Sequence, residues 1–371
     1  MRLFGKNYSK TALRKRLGNM DQLAGIRLVS FDDGNERPVR AALFHTGSGL
    51  EFTVLLDRGM DIASASFQGK AMGWRSTTGN VAPQYFEPEG LRWLRSYFGG
   101  LVTTCGLTRV GAPGADSALQ GDGLHGRISH IPARDIQVSQ AWEGDRYLLS
   151  VSGVMRETSV FGENLTLRRT ISTELGASSF RIRDVVCNEG FTRTGLSLLY
   201  HCNIGWPVLD QGSRMIAPVR ALAPRDSAAE KGMETWDVMD APTHGYREKC
   251  YYHDMIPDKK GEVTVALVND GFPDNGFGVY IRYNKKELPR FVQWKQMGEQ
   301  VYVCGLEPCN CGIEGREKDE ALGLLDMLNA GEERAFNLEF GVLTDGGQVA
   351  ALQQTMAKNK PQFKKSYTEL L

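Results

Sequence analysis

In Asn164–Thr173, residues Leu165, Leu167 and Arg169 alternate with Thr166, Arg168 and Thr170. This is a period of two, the repeat of a strand rather than a helix. The segment stands in a series with Tyr147–Arg156, Ser179–Asn188 and Gly195–Asn203. The joints Glu174-Leu175-Gly176-Ala177 and Asn188-Glu189-Gly190 carry turn chemistry. Val39–His45 and Glu51–Leu56 form an earlier pair around a turn at His45–Gly49. Glu262–Val268, Gly278–Tyr283, Arg290–Lys295, Gln300–Leu306 and Arg334–Leu343 continue the pattern. Strands do not alternate with helices, so a parallel sheet is excluded in favour of an all-β fold, a large antiparallel β-sandwich.

Helical signals are few. Ser9 is placed to cap a short N-terminal helix running to Gly18, with Leu13 and Leu17 four apart. A second helix of a turn or two is expected within Ala321–Asn329, weakened by Gly323. These signals divide the chain into a helical extension, 1–25, and a single sandwich domain, 26–371. The most irregular stretch, Gly212–Asp258, carries Pro218, Pro224 and Pro242 and reads as a long surface excursion.

Of 371 residues, 44 are Lys or Arg and 44 are Asp or Glu, so net charge is near zero. That balance argues against a nucleic-acid or anionic-membrane partner. The charged start through Arg16 lacks a signal-peptide core, and no apolar run reaches a membrane span. Seven scattered cysteines look like reduced thiols, and the expected location is cytoplasmic. Oligomeric state is not legible.

Several chemical motifs fail on context. Gly121-Asp122-Gly123-Leu124-His125-Gly126 is formally GxGxxG, but a convincing strand does not precede it and an extended sequence follows. Its glycines bring backbone close to something, and His125 sits in that loop, equally able to satisfy a turn carbonyl. Cys304, Cys309 and Cys311 lack the spacing and fourth ligand of a zinc site. There is no Gly-x-Ser-x-Gly elbow and no HExxH.

A histidine and a carboxylate remain. His201 ends an apolar run in Tyr200-His201-Cys202-Asn203, and Glu307 lies in Gly305-Leu306-Glu307-Pro308. Two groups of different proton affinity across one substrate are the minimum for general acid–base work. Asn203 accompanies the histidine, and Trp294 and Lys295 lie on the strand next to Glu307. Arg58, in Asp57-Arg58-Gly59-Met60-Asp61, offers a fork of donors for vicinal hydroxyls, or else an ion pair with its neighbours. Lys295 and Arg109 are candidate phosphate acceptors, with surface charge the other reading. A polar, aromatic-floored cleft of this content suits a monosaccharide or sugar derivative.

In order and spacing these segments resemble the galactose mutarotase-like (aldose 1-epimerase) family, and more closely its aldose 1-epimerase-related branch. Leu56–Ile62 is similar to that branch's arginine strand, and Gly100–Gly106 and Leu124-His125-Gly126 to the family's glycine and His-Gly motifs. Val186–Gly190 through Leu199–Asn203 resembles the strand pair ending in the catalytic histidine, and Gly305–Pro308 the segment bearing the catalytic glutamate. The resemblance implies a large antiparallel β-sandwich, His201 as general acid, Glu307 as general base, and Arg58 and His125 holding hydroxyls. No cofactor is implied. The family's Asn-x-x-x-His-x-Tyr-Phe-Asn pattern is altered here to Leu198–Trp206, and its intervening aspartate has only Asp210 as a candidate counterpart. The implied activity is interconversion of α and β anomers. A non-catalytic carbohydrate-binding protein, or an epimerase or isomerase acting at another sugar carbon, stays open.

Overall fold

The computed structural model describes residues 1–114, 123–273, 276–356 and 360–370. The fold is a large β-sandwich. One eight-stranded sheet contains β1 (Thr103–Leu107), β2 (Thr194–Ile204), β3 (Val219–Pro224), β4 (Lys249–Met255), β5 (Arg290–Met297) and β6 (Tyr302–Cys309). These run in the order β1-β2-β6-β5-β4-β3, every neighbouring pair antiparallel. Gln362–Phe363 pairs β3 in the parallel sense at the far edge, and Asp326–Leu328 pairs the start of β2.

The second eight-stranded sheet includes Arg134–Glu143, Arg146–Thr158, Asn164–Glu174, Ser179–Asn188, Glu333–Leu343, Phe277–Asn284 and Glu262–Asn269. A five-stranded sheet takes in Gly25–Ser30, Arg40–His45, Leu50–Leu55 and Asp61–Phe67. The main core lies between the layers. It unites Leu196, Leu198, Tyr200, Cys202 and Ile204 of β2 with Leu149, Val151, Leu165, Leu167 and Ile182 of the second sheet.

Successive side chains of a strand face opposite sides, so the same β2 turns Leu199, His201 and Asn203 away from that core. All three are nonetheless buried, because other chain segments cover this outer face. A strand buried on both faces reads as a continuous apolar run, which is how Gly195–Asn203 looked in sequence.

The expected N-terminal helix is shorter, Lys10–Arg14, with the Ser9 hydroxyl accepting from the Ala12 amide at 3.2 Å. Ala321–Asn329 corrects the helix expected there. The helix is Arg316–Ala321, it ends where Gly323 takes positive φ, and Asp326–Leu328 is a strand. Gly212–Asp258 is likewise not a surface excursion. It supplies β3 and β4 and buries Met233, Trp236 and Met239. Strands buried on both faces do not alternate, and the prolines sit at strand ends or in connections. Among the described residues no helix is long and apolar enough to cross a membrane.

Candidate active site

β2 and β6 pair with Cys202 opposite Leu306 and Asn203 opposite Gly305. The same register sets His201 across from Glu307, on the face turned from the core. His201 Nε2 and Glu307 Oε1 are 3.4 Å apart, and the two residues are only 6% and 3% exposed. Oε1 has no hydrogen-bond partner. A buried carboxylate oxygen without a donor is costly and recurs at sites of chemistry.

Gly305 makes room for this arrangement. A Cβ there would lie 2.3 Å from Glu307 Oε1 and 3.0 Å from the Trp294 Cβ. The carboxylate thus folds back over a position that only glycine leaves open.

The pair opens into a cleft of about 430 Å³, within the roughly 300–1,000 Å³ range of small-ligand pockets. Trp294, opposite Gly305 on β5, stands with its ring 5.3 Å from the His201 ring, nearly perpendicular. Its indole N–H donates to Glu248 Oε2 at 2.7 Å, and Arg225 donates to Glu248 Oε1 at 2.7 Å. Glu248 is thereby held rigidly at the cleft wall beside Arg225. Leu91, Leu94, Leu124 and Ile313 make an apolar side.

His125 lines the cleft from the glycine loop, at φ 61°. The Gly111 amide donates to its Nδ1 at 3.3 Å, so the neutral ring carries its proton on Nε2. Burial, then the nearby His201, lowers its pKa to about 3. Of the formal GxGxxG, Gly121 and Asp122 lie outside the described residues.

Burial lowers the His201 imidazole to about 4, against a hydrogen bond at Asn203 and the field of Glu248. Burial likewise pushes the Glu307 carboxyl up to about 8, reinforced by Glu248 and opposed by Arg225. The acid role for His201 and base role for Glu307 that the resemblance implies call for a cationic ring facing a carboxylate, whereas desolvation favours a neutral imidazole beside a protonated carboxyl.

Five sequence candidates do not reach the cleft. Arg58 is wholly buried. It donates to Ser129 O at 2.7 Å, Ser96 O at 3.0 Å and Val81 O, and lies 2.9 Å from His130 Nε2, so its fork braces backbone. Lys295 follows Trp294 and must face the other way. Its ammonium donates to Thr235 O at 3.1 Å and Val238 O, with Asp240 at 3.3 Å. Asp210 lies in a separate surface hollow with Trp206, Gln211 and Phe272. Asn203 sits behind the pair, its side chain bonded to Tyr97 at 2.7 Å and to His201 O at 2.9 Å. Arg109, the other candidate for a phosphate, is ion-paired with Glu317.

Tyr97, Arg225, Glu248 and Glu314 are cleft residues that the sequence reading passed over. The only available signal for Arg225 and Glu248 was the density of charge within Gly212–Asp258, which resembles ordinary surface. Tyr97 carries no motif. All seven cysteines are free thiols, and Cys250 is at the cleft wall.

Comparison with solved structures places this architecture. A presumed aldose 1-epimerase from Klebsiella pneumoniae is 26% identical, with TM-score 0.88 over 94% of this chain and 93% of that one. A galactose mutarotase-like protein from Clostridium acetobutylicum is 13% identical, with TM-score 0.59 over 87% and 99%. Galactose 1-epimerase from Lactobacillus acidophilus is 12% identical, with TM-score 0.53 over 87% and 99%. The last two likenesses bear on fold alone. No curated protein sequence matches the chain. A family model described as a domain of unknown function, DUF4432, matches residues 36–342. The chain belongs to the DUF4432 family and has the galactose mutarotase-like fold.

Proposed function

We propose that this protein is an aldose 1-epimerase-like mutarotase, in which His201 and Glu307 exchange protons with a monosaccharide at the anomeric centre. The observation carrying this reading is the facing of the two groups across paired strands, 3.4 Å apart, at the floor of a cleft walled by an indole. One group takes the proton of the anomeric hydroxyl while the other protonates the ring oxygen. The bond from C1 to the ring oxygen breaks and C1 becomes an aldehyde. Rotation about C1–C2 presents the other carbonyl face, and the reverse transfers close the ring. Each proton is returned, so the chemistry requires no cofactor.

The expected assignment gave Glu307 the base and His201 the acid role. A carboxylic acid beside a neutral imidazole is the proton isomer of a carboxylate beside an imidazolium. Either form holds one proton to give and one site to receive. The shifts at both residues favour starting from the neutral form, with Nε2 of His201 as first acceptor and Glu307 as first donor. Closure then exchanges the roles. Neutral sugar hydroxyls suit the remaining wall: Glu248 accepts, Arg225 and His125 donate, and Trp294 offers a face for C–H groups.

Polarimetry on freshly dissolved single anomers, with saturation-transfer NMR on a panel of aldoses, tests the reading. Accelerated anomer exchange that disappears in Glu307→Gln and His201→Asn is expected. Calorimetric binding without acceleration would assign the cleft to sugar binding alone. Deuterium entering a C–H position from heavy water would move the chemistry to another carbon.

A further inference from the structure

We infer that Tyr97 and Asn203 act together as positioning residues that lock His201 in the tautomer with its proton on Nδ1, leaving Nε2 as the basic atom facing Glu307. The inference rests on the mutarotase reading for its kinetic consequence only; the tautomer itself follows from the hydrogen bonds.

Asn203 comes first. Its Nδ2 lies 2.9 Å from His201 O and 3.3 Å from Gly99 O. Both partners are carbonyls, which only accept, so the amide nitrogen must occupy that side and Oδ1 must point the other way. Oδ1 is 2.7 Å from the Tyr97 hydroxyl, and an amide oxygen has no proton to give. The single phenolic proton is therefore donated to Asn203.

The Tyr97 oxygen is left only as an acceptor, and it lies 3.2 Å from His201 Nδ1. The bond is satisfied when Nδ1 carries hydrogen. Burial raises the Tyr97 pKa well above the ordinary phenol, which keeps that proton in place. With Nδ1 protonated, a neutral ring has its lone pair on Nε2, the nitrogen 3.4 Å from Glu307 Oε1.

Geometry reinforces the lock. Tyr97 is 6% exposed, stacks on Trp93 at 4.5 Å and meets the His201 ring edge-on at 5.5 Å. Asn203 is two residues along β2 from His201, so both side chains rise from the same sheet face. The ladder that places the imidazole thus also places the amide that orients it.

The test uses the full chain labelled with ¹⁵N-histidine, with His201 assigned by loss of its signals in His201→Asn. In the wild type Nδ1 is expected to show a pyrrole-type shift and Nε2 a pyridine-type shift at neutral pH. In Tyr97→Phe, which keeps the ring packing, the two shifts should move toward an averaged mixture. Anomer exchange on the best aldose of the panel should fall about 10–100-fold in kcat, with KM within about 2-fold, as for loss of an orienting partner. Asn203→Leu should alter both readouts in the same sense. A wild-type ring with unprotonated Nδ1, or a Tyr97→Phe variant with unchanged tautomer and kcat, would overturn the inference. If no aldose is turned over, the mutarotase reading fails, and the NMR shifts alone still decide the tautomer.

Discussion

Two of the buried clusters of ionisable groups among the described residues are treated in opposite ways. Behind the cleft, between the sheets, Arg169 donates to Asp184 at 2.6 and 2.9 Å, to Asp61 at 2.9 Å and to the Thr104 hydroxyl at 2.9 Å. Thr104 bonds Asp61 through amide and hydroxyl, and the Tyr200 hydroxyl donates to Asp184 at 2.6 Å. Burial works against the Arg169 charge, yet Asp184 and Asp61 outweigh it and raise its pKa. Burial also lifts Asp61, against the pull of Arg169. One residue along β2 from Tyr200, the His201–Glu307 pair is just as dry, but Glu307 Oε1 has no donor and no cation is bonded to it. Equal desolvation thus yields a brace where every group is matched, and, on the proposed function, a pair free to exchange protons where one is left wanting.

The comparison breaks most sharply on activity. Glu307→Gln and His201→Asn should each slow anomer exchange about 10²–10⁴-fold, while urea unfolding shows folding intact. Severe unfolding in either would make the pair a brace as well. Arg169→Met should do the converse, stranding two buried carboxylates at a cost of about 3–5 kcal/mol, read from the urea midpoint. A milder loss would mean that water reaches the cluster.

A finer test is Gly305→Ala. The added methyl collides with the Glu307 carboxylate, and a displacement near 1 Å should lower kcat up to about 10²-fold. Stability should fall by about 1–3 kcal/mol from overpacking.

The pH response has a definite sign. Glu307 is raised from 4.5 to about 8, so its folded form holds a proton that the unfolded chain has released. That contribution is complete below pH 4.5 and is lost as pH climbs to about 8. Glu307→Gln should therefore gain stability relative to wild type across this window and level off above it, in urea titrations at stepped pH. His201, lowered to about 4, runs the other way, with stability lost as pH falls from 6.5 toward 4. Exchange rate should correspondingly be bell-shaped, failing below about 4 and above about 8. The smallest effect belongs to Asp210→Asn, whose distance from the cleft predicts unchanged kinetics and stability within about 0.5 kcal/mol.

Sequence carried the sandwich because period-two patterning and turn residues are local signals, as in Asn164–Glu174. It missed β3 and β4 because strands wrapped on both sides lose alternation, and Pro224 disguised one of them. His201 and Glu307 could be picked out as a pair, but their register could not, since that depends on how β2 meets β6. Arg58 and Lys295 looked like ligand-binding cations because charge in a sequence does not disclose what it faces. For Lys295 the parity of its strand decides: Trp294 takes the cleft side, so the next residue cannot. Tyr97 was illegible because its importance comes from a hydrogen bond across 104 positions of chain.

The placing of His201 and Glu307 as opposed residues on hydrogen-bonded strands has a practical corollary. If either strand slid by a single residue during assembly, its reactive side chain would be swung through the sheet into hydrocarbon. On the proposed function, misaligned molecules would then be catalytically silent rather than partly competent. Specific activity would count correctly threaded copies, giving refolding experiments a gauge that spectroscopic measures of β content do not provide.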